Sequence, residues 1–272
     1  MSAKVVPTIP LMIPDVPEQV FVNLRRFNLI MGVFHLIQGI AMIALSSSFA
    51  ISISTLYLRA IVGNGTFSLE QNLQPAGDIP FGPAVALFLL MSAVAHFLLG
   101  TILYKWYVKN LKRNMNPARW IEYALSSSLM IVLIGMLVGV YDVSTLILMF
   151  GLNAMMNLFG LMMELHNQTT PKTDWTAFIF GCIAGIIPWI VIVLYIAGAA
   201  QSVNTEIPGF VYAILITLFI FFNIFALNMW LQYRGIGPWK HYLFGERAYI
   251  ILSLVAKSAL AWQIWAGQLQ PN

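Results

Sequence analysis

The 272-residue chain is 60% hydrophobic and only 9% charged, against roughly a quarter charged in an ordinary soluble domain, and its mean hydropathy is +0.82; this excludes a water-soluble fold and describes an integral membrane protein. A net charge of +4 does not make it a nucleic-acid binder, because the basic residues are spread among loops and no basic helix or stripe collects them. The single cysteine, Cys182, excludes an internal disulfide and a cysteine metal cluster, and reads as a small apolar residue packed in a helix.

In chain order, residues 1–20 hold four prolines and no helical period, so the chain opens with a tail, set at residues 1–24. A secretory signal peptide fits poorly, since the first apolar run begins late and is long enough to span. Seven apolar stretches follow, near 26–49, 82–108, 118–141, 143–166, 175–199, 207–232 and 243–266, each matching the ~20 residues a helix needs to cross ~30 Å of hydrocarbon. Their connections are mostly short, so the expected fold is an all-α membrane protein, a single seven-helix bundle over residues 1–272. The exception is the loop at 50–80, where "ISISTLYLRAIVGNGTFSLEQNLQPAG" places β-branched residues around Gly63, Asn64 and Gly65. Asn-Gly is a tight-turn signal, so this loop is expected to be a two-stranded hairpin that leans on its own bundle or on a second protomer. Asn64 also opens an Asn-Gly-Thr sequon, which matters only in a glycosylating host.

Lysine and arginine orient the bundle. Lys4, Arg25, Arg26, Lys105, Lys109, Lys112, Arg113, Arg119, Lys172, Arg234, Lys240 and Arg247 fall on the side of the N-terminus, and Arg59 alone falls on the other. The positive-inside rule then places a multi-pass protein in the plasma membrane with its N-terminus cytoplasmic and its C-terminus extracellular.

Polar residues inside such spans are candidate functional groups. Span seven puts Tyr249, Ser253 and Lys257 on one helix face; span three does so with Arg119, Glu122, Tyr123, Ser126 and Met130, and span four with Asn153, Asn157, Gly160 and Glu164. Span one adds Asn28, His35 and Gln38, and span two Ser92 and His96, with the two histidines expected to pair with Gln38 and Ser92. Lys257 lies ten residues past Arg247, about 15 Å deep at 1.5 Å per residue, too deep to reach the interface. It must pair with an acid, Glu122 being at the right depth, or act as a desolvated amine nucleophile that condenses with an aldehyde. His166 and His241 read as interfacial, Asp142 and Glu206 as solvated caps, and Trp106 with "PWKHY" as an interfacial belt. Two buried histidines fall short of a zinc site without Glu122, so no metal is expected.

The segments "FNLIMGVFHLIQG", "SAVAHFLLG", "RWIEYALSSS" and "SLVAKS", in that order and with this charge asymmetry, resemble the heliorhodopsins, microbial rhodopsin relatives of inverted topology. The resemblance covers all seven spans and the hairpin. It implies all-trans retinal on Lys257 as a Schiff base, Glu122 as counterion and Ser253 beside it. It further implies a pocket lined by Tyr123, Ser126, Met130, Asn153, Gly160 and Pro188, with rings from "FIFFNIF" of span six, and a proton-accepting cavity of His35, His96, Arg119 and Glu164. A homodimer in membrane lipid, with an unidentified signalling partner on the cytoplasmic side, is implied as well. A pump-type rhodopsin would carry a second acid eleven residues after Glu122, where this chain has Leu133. The expected function is therefore light sensing: photoisomerisation from all-trans to 13-cis, and a proton released into an internal cavity without net transport. A light-driven pump or channel and a retinal-free transporter using Lys257 and Glu122 are the alternatives. No catalytic constellation lies outside the cavity, so an enzyme is not expected.

Overall fold

The computed structural model describes residues 16–63, 66–201 and 208–271. Helix α1 (Glu18–Leu45) starts directly after Pro17, inside the stretch read as tail, because Phe21 and Leu24 continue its buried stripe with Asn28, Gly32 and His35. Strands β1 (Ala50–Gly63) and β2 (Thr66–Pro80) form an antiparallel hairpin. Asn64 and the sequon asparagine's neighbour Gly65 lie outside the described residues.

Helix α2 (Phe81–Gly100) is shorter than its hydropathy suggests, and α3 (Tyr104–Leu111) is a separate short helix. Thr101 breaks the run at φ −127° and ψ −95°. The carbonyl of Gly100 accepts a 2.7 Å hydrogen bond from Arg25 Nε, and the same guanidinium sits 4.8 Å above the Tyr104 ring. A side chain of α1 thus takes over a carbonyl freed at the helix end.

Helix α4 (Pro117–Leu137) carries proline in its first turn, and Asn116 caps it by accepting from Arg119 N at 3.2 Å. Helix α5 (Val143–His166) is capped by Asp142, which accepts from Thr145 N at 2.8 Å and Thr145 Oγ1 at 2.9 Å. The cap expected at Asp142 is therefore present, whereas Glu206 lies outside the described residues. Helix α6 (Thr176–Gln201) contains Pro188. Helix α7 (Gly209–Arg234) ends at Gly235, whose φ of +62° closes the helix in the left-handed conformation that glycine tolerates. Helix α8 (Tyr242–Ile264) follows a short 3-10 turn at Gly237–Lys240.

Helices α1, α2, α4, α5, α6, α7 and α8 are seven segments long and apolar enough to cross a membrane. Sequence neighbours pack side by side and α8 closes back on α1, while α6 and α7 face each other with little direct contact. The hairpin leans on its own bundle: Ser54 N donates to Tyr141 O at 2.9 Å, and Ser54 bridges to Asp142 in the α4–α5 connection. The half of the bundle nearest the hairpin is a dry apolar core in which Leu89, Ile131, Leu133, Ile134, Leu260 and Ile264 are fully buried. Buried polar side chains gather in the other half, at the end where α1 begins and α3 lies.

Candidate functional site

Burying the apolar stripe of α8 carries Glu246, Tyr249, Ser253 and Lys257 into the bundle together, all of them buried. Lys257 is 3% exposed. Its Nζ donates to Glu122 Oε1 at 2.8 Å, to Ser92 Oγ at 2.5 Å and to Ser253 Oγ at 3.1 Å, and Ser92 Oγ in turn donates to Glu122 at 2.7 Å. The Tyr123 ring lies 5.2 Å from the ammonium. Three helices thus place an anion, two hydroxyls and a ring face around one amine. That arrangement answers the desolvation of a charge at this depth.

From Lys257 a cavity of about 340 Å³ runs between α4, α5, α6 and α7. Trp120, Trp189, Phe178, Phe219, Phe222 and Phe225 supply its rings, and polar atoms enter at Ser127, Asn157, Asn223, Ser253 and the amine itself. The size lies within the roughly 300–1,000 Å³ usual for small-molecule sites. The shape and chemistry suit a long apolar ligand with one carbonyl end, held at Lys257. Exposed Cys182, Ile186 and Asn223 form a rim between α6 and α7, so Cys182, expected to pack as a small apolar residue, is exposed at the edge of the cavity instead.

Of the expected wall residues, Tyr123, Met130, Gly160, Ser253 and Lys257 line this cavity, and Ser126, Asn153 and Pro188 do not. A helix turns about 100° per residue, so Tyr123, Ser127 and Met130 share one face while Ser126 follows Glu122 on the next. Asn153 acts from behind the wall, its amide donating to Ser127 Oγ at 2.8 Å and Ser128 Oγ at 3.1 Å. Pro188 lies behind Gly185 and Trp189, which reach the cavity. Gly160 is there because a Cβ would run into the Trp120 ring.

On the other side of Glu122 is a polar cavity of about 30 Å³, bordered by Asn28, Ser92, His96, Arg119, Glu246 and Asn116 among others. A buried water needs roughly 10–15 Å³ in such terms, so the space admits about two. His96 Nδ1 bonds to Asn28 Oδ1 at 2.8 Å. The His35 ring stacks on His96 with centroids 5.5 Å apart and planes 15° apart, and neither of its ring nitrogens has a hydrogen-bond partner. The expected pairings of His35 with Gln38 and of His96 with Ser92 are not formed. Gln38 accepts from Trp262 Nε1 at 3.0 Å, and Ser92 serves Lys257 and Glu122. Three residues on, Gln38 has already turned off the buried stripe of α1 that carries His35.

Arg119 binds two carboxylates, Glu164 through Nη2 and Glu246 through Nη1, and its guanidinium lies 4.0 Å above the Tyr249 ring. Glu164 also accepts from Asn116 N at 2.8 Å and from Tyr242 OH at 3.0 Å. Glu246 accepts from Asn116 Nδ2 at 2.7 Å and Tyr107 OH at 2.9 Å. Complete burial, and then the neighbouring Glu246 carboxylate, push the Tyr107 phenol well above the usual tyrosine range, so it stays a donor. Sequence reasoning missed Glu246, Asn116 and Tyr107. The available signal was the spacing of Glu246, Tyr249, Ser253 and Lys257 on one face of α8. His166 and His241 are exposed, as expected, and His166 Nε2 lies 3.3 Å from Asp174.

A comparison with curated proteins finds no match. The model of the family described as Heliorhodopsin matches residues 24–269, from the second turn of α1 to the end of the turn after α8. Members of that family are microbial rhodopsin-like photoreceptors, and the rhodopsin chromophore is retinal. With seven apolar helices, one buried lysine on the last of them, and this match over nearly its whole length, the chain belongs to the heliorhodopsin family.

Proposed function

We propose that this protein is a light sensor in which Lys257 holds all-trans retinal as a Schiff base, with Glu122 as the counterion. The observation that carries this reading is the buried Lys257 on the wall of a ring-lined cavity, its Nζ 2.8 Å from the Glu122 carboxylate. When bound there, retinal supplies visible absorption and an all-trans to 13-cis isomerisation that shifts a protonated nitrogen relative to Glu122. The Glu122 carboxylate keeps that proton on the nitrogen in the dark, and Ser92 and Ser253 fix the carboxylate and nitrogen against each other. Trp120, Trp189 and Phe222 exclude water along the cavity. Among the described residues, the ionisable groups nearest a proton leaving the nitrogen, apart from Glu122, lie around the small cavity that His96 borders with His35 stacked on it. Toward the hairpin it meets Leu89, Ile131, Leu133 and Leu260, all fully buried and apolar. The proton therefore returns the way it left, and the output is a conformational state rather than a gradient. The positive-inside pattern supports a cytoplasmic N-terminus, which puts this cavity on the side where a signalling partner would sit.

Glu122→Gln tests the counterion. A unit charge at ~4 Å contributes about 4 kcal/mol at an effective dielectric near 20. Part of that preference for the ground-state charge distribution disappears in the variant, so the visible band should move to longer wavelength. An unmoved band removes Glu122 from the role. Light-driven acidification or alkalinisation by wild-type vesicles would favour the pump reading instead.

The partner proposed within the membrane is a second copy of the chain. Residues opposite each other in the hairpin share a face, and Leu56 with Leu73, Ala60 with Leu69, and Val62 with Phe67 make one face apolar, while Arg59 with Glu70 and Tyr57 with Asn72 make the other polar. Val62 is 79% and Phe67 68% exposed in the single chain. Leu58, 61% exposed, joins this face, which Gln71 opposite it interrupts; an exposed, largely apolar face of this kind marks an interaction surface. Leu58→Asp with Leu69→Asp should shift the detergent-solubilised protein from dimer to monomer in light scattering while leaving the bundle folded. A dimer that survives both changes places its interface elsewhere.

A further inference from the structure

Two carboxylates and one guanidinium meet at the joint of α4, α5 and α8, and all three are between 1% and 5% exposed. With all three ionised, the group holds one uncompensated negative charge in a buried site. Among the described residues near it, the further ionisable side chains include Tyr107, Tyr233, Tyr242 and Tyr249, with His96, Glu122 and Tyr123 across the small cavity. The two carboxylates are not equivalent. Glu246 borders the cavity that also touches Glu122 and His96, and Glu164 does not. Arg119 borders it too, and its Nε, buried, has no hydrogen-bond acceptor. The lysine end of the site and the carboxylate with surplus charge thus open onto the same space of about 30 Å³.

We propose that Glu246 is the resting place of the proton that leaves the Lys257 nitrogen, and that the Arg119–Glu164–Glu246 cluster converts that proton into a movement of α3. The inference rests on the light-sensing reading and extends it past the histidines. The balance is simple: an N–H bond at Lys257 breaks, an O–H bond at Glu246 forms, Glu122 keeps its charge, and the cluster goes from one net negative charge to none. His96 and His35 are a station on the way.

The consequence lies in who holds Glu246. Tyr107 donates to it from α3, and Asn116 and Arg119 donate from the head of α4. Charge-assisted hydrogen bonds are roughly twice as strong as neutral ones, so protonating Glu246 weakens at once the ties that Tyr107, Asn116 and Arg119 make to it. Helix α3 is short, separated from α2 by the break at Thr101, and presents Lys105, Lys109 and Lys112 outward. It is the element best placed to move, and its outer face is basic.

Light-minus-dark infrared spectra of the retinal-loaded protein test this. Wild type should gain the carbonyl-stretch band of a protonated carboxyl when the visible band bleaches. Glu246→Gln should lose that band while keeping its visible absorption, and Glu246→Asp should keep it at a shifted frequency. A band that persists in Glu246→Gln, or a bleaching protein with no carboxyl band, overturns the proposal. A carboxyl band that disappears in Glu164→Gln and persists in Glu246→Gln likewise overturns the assignment to Glu246. If no visible band ever forms, the light-sensing reading fails and the proton site with it; a visible band that bleaches without a Glu246-dependent carboxyl band fails the proton site alone.

Discussion

Protein expressed with all-trans retinal should show a visible band that hydroxylamine bleaches, and Lys257→Ala should show none. The effect is all-or-none because a covalent link needs a primary amine, and Lys257 is the amine on the cavity wall, held by Glu122, Ser92 and Ser253. Alanine also strips Glu122 of its cation, and an unpaired buried carboxylate can itself disturb folding. Lys257→Arg separates the two effects. It keeps a positive charge beside Glu122 but forms no link, so it should remain folded by size-exclusion chromatography and stay colourless. If wild type is colourless as well, the Lys257–Glu122 pair is a structural or transport ion pair, and the retinal-free transporter reading takes precedence. If Lys257→Arg retains a hydroxylamine-sensitive band, another amine carries the ligand.

The spans, the hairpin and the Lys257–Glu122 pair were legible in the sequence because each leaves a local trace. Apolar runs of membrane length, alternation around an Asn-Gly pair, and a lone charge in an apolar run are all visible within about 25 residues. The ends of the helices were less so. Hydropathy carries on past Gly100 through Ile102, Leu103, Trp106 and Val108, yet α2 stops there, because Arg25 of α1 takes the Gly100 carbonyl. That contact joins residues 75 apart in sequence, and no window reveals it.

The site divides in the same way. Helical spacing groups the polar residues of each span on one side, and Tyr123, Met130 and Gly160 line the cavity. Spacing alone does not decide which of them reach it: Ser126, four residues from Glu122, and Gln38, three from His35, go elsewhere, because a step of three or four still turns the side chain by about 40–60°. Glu246, Asn116 and Tyr107 were hidden for a different reason. Asn116 and Glu246 lie at the heads of α4 and α8 and Tyr107 lies in the short helix α3, all beside interfacial residues, where a polar side chain reads as solvated. Only the closure of α8 against α3 and α4 turns those ends inward.

The largest stability effect is expected from Arg119→Gln. The guanidinium holds Glu164 and Glu246 together with all three side chains buried, so its loss leaves two carboxylates facing each other without a cation. Removing one partner of a buried ion pair typically costs about 3–5 kcal/mol, and for a chain of this size that lowers the melting temperature by roughly 10 °C. The cost should come from stranded charge more than from lost attraction. Adding Glu164→Gln and Glu246→Gln to Arg119→Gln should therefore recover most of the loss, since neutral amides can exchange hydrogen bonds with Asn116, Tyr107 and Tyr242. Thermal melts of the detergent-solubilised single and triple variants, both without retinal, decide it. A triple variant no more stable than the single one would show that Arg119 contributes chiefly by packing against Tyr249 and Trp120. In that case the surplus charge assigned to the cluster would not exist in the folded protein, because one of its carboxyls would already carry a proton in the dark.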